Sequence, residues 1–142
     1  VFISPVPTAD PFADWQTYTN TNLGITLRFP SSVSTNDQYN QNVFFSDLNL
    51  DFQVKLVENE MGISLEDFYY FDEKPISTKK INNLTAQVYL SETGYCDGPG
   101  CGPPYAAYVV YKNNIFYVIS FNGDTSLSET EEQILSTFKF ID

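Results

Sequence analysis

Residues 105–122, with the sequence YAAYVVYKNNIFYVISFN, hold two apolar runs joined by Asn113-Asn114. Asparagine tolerates positive φ better than other non-glycine residues, so an Asn-Asn link suits the tight turns that match hairpin twist. In the second run, one face of the strand carries Ile115, Tyr117, Ile119 and Phe121, and the other carries Phe116 and Val118. Both faces are apolar for most of the run, which predicts a hairpin with a central strand covered on both sides.

The size and composition of the chain predict a single globular domain. The chain has 142 residues, of which 42% are hydrophobic and 16% are aromatic, and a chain of this length buries roughly two thirds of its unfolded surface. Residues 1–14 are rich in proline, which blocks regular hydrogen bonding, so we interpret them as a linker. We place one domain at residues 15–142.

The charge balance excludes two classes of partner. Eighteen Asp and Glu residues outweigh seven Lys and Arg residues, which gives a formal charge of −11. Phosphate backbones and anionic headgroups repel such a surface, so we expect neither nucleic acid nor an anionic membrane surface as a direct partner. The chain has no histidine, which removes the commonest general base and the commonest metal ligand.

Hydrophobic alternation predicts further strands before the hairpin. These strands are residues 16–20, 25–29, 43–45, 52–57, 76–81 and 84–91. Asn82-Asn83 separates the last two of them, which predicts a second hairpin with the same kind of turn.

Two segments carry helix signals, and they decide the predicted fold class. Ser64 can cap a helix that buries Leu65 and Phe68, and Ser128 with Glu131 forms a capping box for a helix near the C-terminus. The element order is strands, helix, strands, helix, with hairpin-length links. We therefore predict an α+β domain in which helices flank an antiparallel sheet on both faces.

The two cysteines lie in a segment rich in glycine and proline. Four residues separate Cys96 from Cys101, and the backbone there can turn tightly enough to bring the two sulfur atoms together. A disulfide is the favoured interpretation, and it implies an oxidising, extracytoplasmic compartment. The alternatives are a redox-active pair, which typically has two intervening residues, a metal site with carboxylates as further ligands, or two free thiols.

The segment around the cysteines is also the candidate partner-binding loop. Residues 92–104 exceed a simple hairpin link, and Tyr95, Asp97 and Tyr105 lie within the segment or at its border. A stapled loop can present a rigid surface to a partner. A loop pinned only for stability is the alternative.

Residues that could carry chemistry have structural explanations. Asp47, Asn49, Asp51 and Glu58 match the acidic positions of an EF-hand loop, but Phe52 occupies the position that requires glycine. Pairs of adjacent acids lie at predicted helix ends, where capping and solvation explain them. The sequence holds no glycine-rich phosphate loop and no nucleophile elbow. We therefore expect no enzyme activity, no cofactor and no metal site.

Motifs near both ends of the domain resemble those of PsbP-like domains, which occur in bacterial extracytoplasmic and membrane-anchored proteins. Residues 18–30, YTNTNLGITLRFP, resemble the family's opening Tyr-x-Asn … Gly-Phe-x-Phe-x-Tyr-Pro, and residues 134–140, ILSTFKF, resemble its Ile-Leu-x-Thr-Phe close. The chain departs from the pattern at Ile25 and Leu27, where aromatics are usual, and in the loop that holds the cysteines.

The resemblance implies an α/β/α sandwich around an antiparallel sheet and a non-catalytic role in larger assemblies. We expect a bacterial, extracytoplasmic binding or assembly module, secreted or tethered to the membrane in the full-length protein, whose partner is another extracytoplasmic protein. The apolar residues 1–3 fit either the exit of a lipoprotein-like anchor or a processed N-terminus. A carbohydrate- or calcium-binding domain of the cell surface is the alternative function, and the sequence does not predict the oligomeric state.

Protein prepared under oxidising conditions should contain a disulfide between Cys96 and Cys101. Its intact mass should rise by two hydrogen atoms on reduction, and only the reduced form should react with an alkylating reagent, because a disulfide offers no free thiol. Free thiols in the oxidised preparation would contradict both the disulfide and an exported location.

Overall fold

Twelve β-strands, one α-helix and one short 3₁₀ turn make up the part of the chain that the structure, a computed structural model, describes. The described residues are 13–37, 41–69, 74–92, 96–97 and 100–141, with the backbone alone at 96, 97 and 101. The strands are β1 (Trp15–Asn20), β2 (Ile25–Pro30), β3 (Ser34–Asn36), β4 (Asn42–Ser46), β5 (Asp51–Glu58), β6 (Ser77–Ile81), β7 (Leu84–Ser91), β8 (Cys96–Asp97), β9 (Gly100–Cys101), β10 (Tyr105–Lys112), β11 (Ile115–Asn122) and β12 (Lys139–Phe140). The 3₁₀ turn is Leu65–Asp67, and helix α1 is Glu129–Ser136.

Seven antiparallel strands form the main sheet, in the order β3-β4-β5-β11-β10-β7-β6. The predicted hairpin lies inside it as β10 and β11, and both residues of its turn have positive φ, 54° at Asn113 and 66° at Asn114. The second Asn-Asn link joins β6 to β7, with φ of 54° at Asn82. Both hairpin predictions are confirmed.

Three further strands, in the order β1-β2-β12, form a smaller sheet. It contributes residues to the larger of the two buried hydrophobic clusters. The predicted hairpin of β1 and β2 turns at Gly24, whose φ of 74° suits glycine. Strand β1 begins at Trp15, where we expected the domain to begin, and residues 1–12 of the predicted linker lie outside the described residues.

One face of the main sheet packs against the smaller sheet and α1. Tyr117, Ile119 and Phe121 of β11 share a buried cluster with Ile25, Leu27 and Phe29 of β2 and with Ile134 and Leu135 of α1. The rings of Phe45 and Phe52 stack with their centroids 4.6 Å apart, and Phe52 stacks on Phe121 at 5.2 Å. This face is therefore closed by an aromatic layer between two sheets.

The other face of the main sheet is covered by the segment that contains the 3₁₀ turn. Phe116 and Val118 of β11 are buried there with Phe68, whose ring lies 4.4 Å from that of Phe116. The hydroxyl of Tyr89 donates a hydrogen bond of 2.6 Å to the backbone carbonyl of Phe68. The predicted division of the faces of β11 is confirmed.

The predicted fold class, an α+β domain with helices on both faces of the sheet, is wrong. The described chain is 53% strand and 10% helical, with one helix and two antiparallel sheets. One face is covered by the smaller sheet and α1, and the other by a segment whose described residues contain no α-helix.

In the described residues, the helix predicted after Ser64 is replaced by the 3₁₀ turn Leu65–Asp67. The Ser64 hydroxyl donates to the Asp67 carboxylate at 3.0 Å and caps no backbone N–H. Phe68 then takes an extended backbone with ψ of 130°. Aromatic residues have lower helix propensity than unbranched ones, and the extended segment places Ile63, Leu65 and Phe68 over the sheet.

The last helix, α1, confirms the predicted capping box. The Ser128 hydroxyl accepts from the backbone N–H of Glu131 at 3.1 Å, and the Glu131 carboxylate accepts from the Ser128 N–H at 2.9 Å. The predicted Ile134 and Leu135 are buried on the sheet side.

Removing the Tyr89 hydroxyl should destabilise the segment around Phe68 that covers the second face of the main sheet. In Tyr89→Phe, the buried carbonyl of Phe68 loses its donor, so we expect the free energy of unfolding to fall by about 1–2 kcal/mol. Chemical denaturation measures this change, with Tyr69→Phe, at a 52% exposed tyrosine, as the control. An unchanged stability in Tyr89→Phe would contradict this role.

The difference in stability between wild type and Tyr89→Phe should also depend on pH. Burial raises the pKa of Tyr89 to about 12, above the value of about 10 in the unfolded chain. The contribution of Tyr89 is therefore complete below pH 10 and is lost as the pH rises toward 12. The stability difference between wild type and Tyr89→Phe should shrink over that range, and a difference that grows would contradict the assignment.

Candidate functional site

One end of the main sheet carries the described part of the loop that the sequence predicts as a partner-binding surface. The register pairs Ser91 with Tyr105 and Tyr105 with Asn122, while Phe121 pairs with Phe52 next to Asp51. Residues 92 and 102–104, the β4–β5 turn and the residues after β11 therefore lie at the same end. We call this surface, made of residues 47–50, 92, 102–104 and 122–124, the loop end.

The structure treats the predicted loop residues differently from one another. Tyr95 lies outside the described residues, and Asp97 is described by its backbone alone, opposite Gly100. Tyr105 is only 3% exposed and belongs to the core of the second face, with Phe116 and Tyr89. The position of Tyr105 as a contact residue is therefore corrected, because its ring fills the core and does not face a partner.

The backbone of β8 and β9 places Cys96 directly opposite Cys101. Opposite residues in an antiparallel pair have Cα atoms about 4.5–5.5 Å apart. That range lies inside the spacing of about 4.4–6.8 Å that disulfides need. The disulfide stays a prediction, and the strand pairing is compatible with it.

The turn between β4 and β5 is held by the carboxylate of Asp47. Its Oδ1 accepts from the backbone N–H groups of Asn49 and Leu50, both at 2.7 Å, and its Oδ2 accepts from the Ser32 hydroxyl at 2.9 Å. The N–H of Asn49 lowers the pKa of Asp47 because it stabilises the carboxylate. These bonds explain Asp47, the first acid of the EF-hand-like pattern, as a turn residue, whereas Asp51 and Glu58 are the two end residues of β5.

Leu48, at the tip of this turn, is fully exposed at 101%, whereas Leu50 is buried at 8%. A groove of about 260 Å³ runs from Leu48 past Asp51 to Pro103 of the cysteine segment. The N–H of Gly123 donates to the carbonyl of Pro104 at 2.7 Å, which joins the cysteine segment to the residues after β11. The loop end is therefore a connected surface with an apolar tip.

Sequence reasoning missed Leu48. An apolar residue between Asp47 and Asn49, in a segment of turn residues, was the available signal. The sequence shows that such a residue lies in a turn, but it does not show whether the turn folds inward or outward.

Among the described side chains, no group of three or more Cys, Asp, Glu or His residues is placed to hold a metal ion. Within the same ranges, no helix has both the length and the apolar character that a bilayer crossing requires.

Comparisons with known proteins give a likeness of fold. No protein-family model matches the chain, and no curated protein matches its sequence. The solution structure of cyanobacterial PsbP (CyanoP) from Synechocystis sp. PCC 6803 is similar, with a TM-score of 0.60 and 13% identity over 96% of this chain and 99% of that chain.

A crystal structure from Bacteroides thetaiotaomicron VPI-5482 is also similar, with a TM-score of 0.61 and 13% identity over 91% of this chain. The match covers 49% of the Bacteroides chain, so this chain spans about half its length. At such identities the likeness concerns the fold alone. The chain has a fold similar to that of cyanobacterial PsbP.

Proposed function

We propose that this chain is a non-catalytic binding or assembly module of the PsbP-like family, and that the loop end contacts another protein. The observation that carries the proposal is the full exposure of Leu48 on a turn whose geometry is fixed by Asp47. The turn needs the carboxylate at 47, but its hydrogen bonds do not need an apolar side chain at 48.

An exposed leucine on a rigid turn is well suited to docking. Transfer of a leucine side chain from water to an apolar pocket contributes roughly 1.5–3 kcal/mol. The hydrogen bonds of Asp47 already order the turn, so little conformational entropy is lost when a partner binds. A single exposed apolar residue is common on protein surfaces, and the fixed turn and the adjoining groove distinguish this one.

The charges around Leu48 indicate the chemistry of the partner. Asp47 and Asp51 line the same groove, and the whole chain carries a formal charge of −11. We therefore propose a partner protein with an apolar pocket bordered by Lys or Arg residues. Attraction between opposite charges would speed association and make its rate fall as salt is added.

The proposed location is extracytoplasmic, in a bacterium, with the protein secreted or tethered to the membrane. The opposed positions of Cys96 and Cys101 support an oxidising compartment. The motifs at residues 18–30 and 134–140, together with the PsbP-like fold, support membership of that family.

Photo-cross-linking tests the contact and identifies the partner. A photoreactive amino acid at position 48 should cross-link one protein, whereas the same amino acid at position 61 should not. Met61 is a matched control because it is 85% exposed and follows the other end of β5, roughly 23 Å away at about 3.3 Å per residue. The absence of a cross-link from position 48, or equal cross-linking from both positions, would contradict the proposal.

Calorimetry with the purified partner then measures the contribution of Leu48. Leu48→Asp should weaken binding at least about tenfold, which corresponds to about 1.4 kcal/mol, and Met61→Asp should leave it unchanged. Asp47→Ala should weaken binding less, because Leu48 remains while its turn loses the acceptor of two N–H groups. Wild-type affinity in Leu48→Asp would contradict the proposal.

The alternative function, a carbohydrate- or calcium-binding domain, has one favourable observation. It is a polar groove on the smaller sheet, and it suits an acidic carbohydrate better than a cation, because two positively charged side chains line it.

A further inference from the structure

A second groove, of about 400 Å³, lies on the outer face of the smaller sheet. Its lining includes Thr26, Arg28, Asn82, Ser136, Thr137 and Lys139. It shares no lining residue with the groove at the loop end. It is therefore a separate candidate site, and its test is independent of the protein-binding proposal.

Strand register builds this groove from distant parts of the sequence. Thr26 of β2 pairs with Lys139 of β12, and Arg28 pairs with Thr17 of β1. The alternate residues of β2 point into the core, so its polar residues share the outer face. Asn82 from the β6–β7 turn donates to the carbonyl of Phe138 at 2.6 Å, which fixes that turn against the rim.

The groove is positively charged in an otherwise acidic protein. Two of the seven Lys and Arg residues of the chain, Arg28 and Lys139, line it. None of the lining residues in the described part of the chain is acidic, whereas four other grooves each include at least one Asp or Glu.

The neighbouring lysines of β6 have other roles. Lys79 forms an ion pair of 3.0 Å with Glu132 of α1, and Lys80 donates to the Thr85 hydroxyl at 2.7 Å. These lysines line an adjoining groove that also includes Asn82 and Ser136. Neither lysine lines the groove of Arg28 and Lys139, so Lys80 offers a matched control for removal of a charge.

The hydroxyl groups of the lining are arranged to accept hydrogen bonds. Thr26 donates its proton to the carbonyl of Tyr18 at 3.0 Å, and Ser136 donates to Gln133 at 2.6 Å. Thr137 donates to Ile134 at 2.7 Å and already accepts from the backbone N–H of Arg28 at 2.8 Å. A hydroxyl whose proton is engaged has only lone pairs to offer. A ligand that fits must therefore donate to these oxygens while it accepts from Arg28 and Lys139.

We propose that this groove binds a hydroxylated carboxylic acid, in the form of a uronate unit of an acidic saccharide. The carboxylate would accept from Arg28 and Lys139, and the sugar hydroxyls would donate to Thr26 and Ser136. Phosphate offers mainly acceptors and leaves the lining oxygens without donors. Neutral sugars usually rely on aromatic stacking, and no aromatic residue lines the groove in the described part of the chain.

An NMR titration of the ¹⁵N-labelled protein with sodium glucuronate tests the site. The amides of Thr26, Arg28 and Ser136–Lys139 should shift and reach saturation below about 50 mM, because a single charged group bound at a surface groove gives a Kd near the millimolar range. Titrations with glucose and with acetate separate the contributions of hydroxyls and charge, and each should shift these amides much less.

Variants decide which side chains bind. Lys139→Gln removes an exposed charge with little risk to folding and should weaken binding at least about tenfold, as should Arg28→Gln. Lys80→Gln removes an equal charge beside the groove, and at physiological salt it should leave binding within about twofold. The unfolding midpoints of all three variants, measured in parallel, separate lost binding from lost structure.

Several outcomes would overturn the proposal. These are the absence of a saturable shift with glucuronate, equal shifts with glucose, wild-type affinity in Lys139→Gln, and equal weakening in Lys80→Gln. Binding of inorganic phosphate as tight as that of glucuronate would also overturn it, because phosphate has at most two O–H groups with which to donate.

Discussion

The structure depends on the burial of both faces of β11. Val118 and Ile119 point to opposite faces of the main sheet, and they are 0% and 2% exposed. If either face stayed in contact with water, the folded state would lose roughly 25 cal/mol of stabilising free energy for each Å² of apolar surface left exposed. The rest of the chain therefore has to supply two covers.

The two covers differ, and the difference leaves separate surfaces for binding. The first cover is the smaller sheet with α1, whose outer face carries the groove with Arg28 and Lys139. The second cover is the extended segment around Phe68. Neither cover needs the side chain of Leu48, which is fully exposed, so this residue can change without loss of the core.

Features that depend on neighbouring residues could be predicted from the sequence, whereas features that depend on contacts between distant residues could not. Asn113-Asn114 and the Ser128–Glu131 box determine their structures within a few residues, and both were predicted correctly. The nature of each cover depends on packing against a sheet that the local sequence does not contain, so Ser64 led to a wrong helix. The candidate sites were even harder to predict from the sequence, because they bring together residues that are far apart in it. The backbone N–H of Arg28, for example, donates to the hydroxyl of Thr137, 109 positions away.

Native-state hydrogen exchange of the β11 amides tests the central claim most directly. If the core depends on the double burial of β11, the amides of Val118 and Ile119 should exchange only through global unfolding, with an opening free energy equal to that from denaturation. The amides of β1, an edge strand of the smaller sheet, should open at lower free energy. Exchange of the β11 amides through local opening, as fast as in β1, would contradict the account.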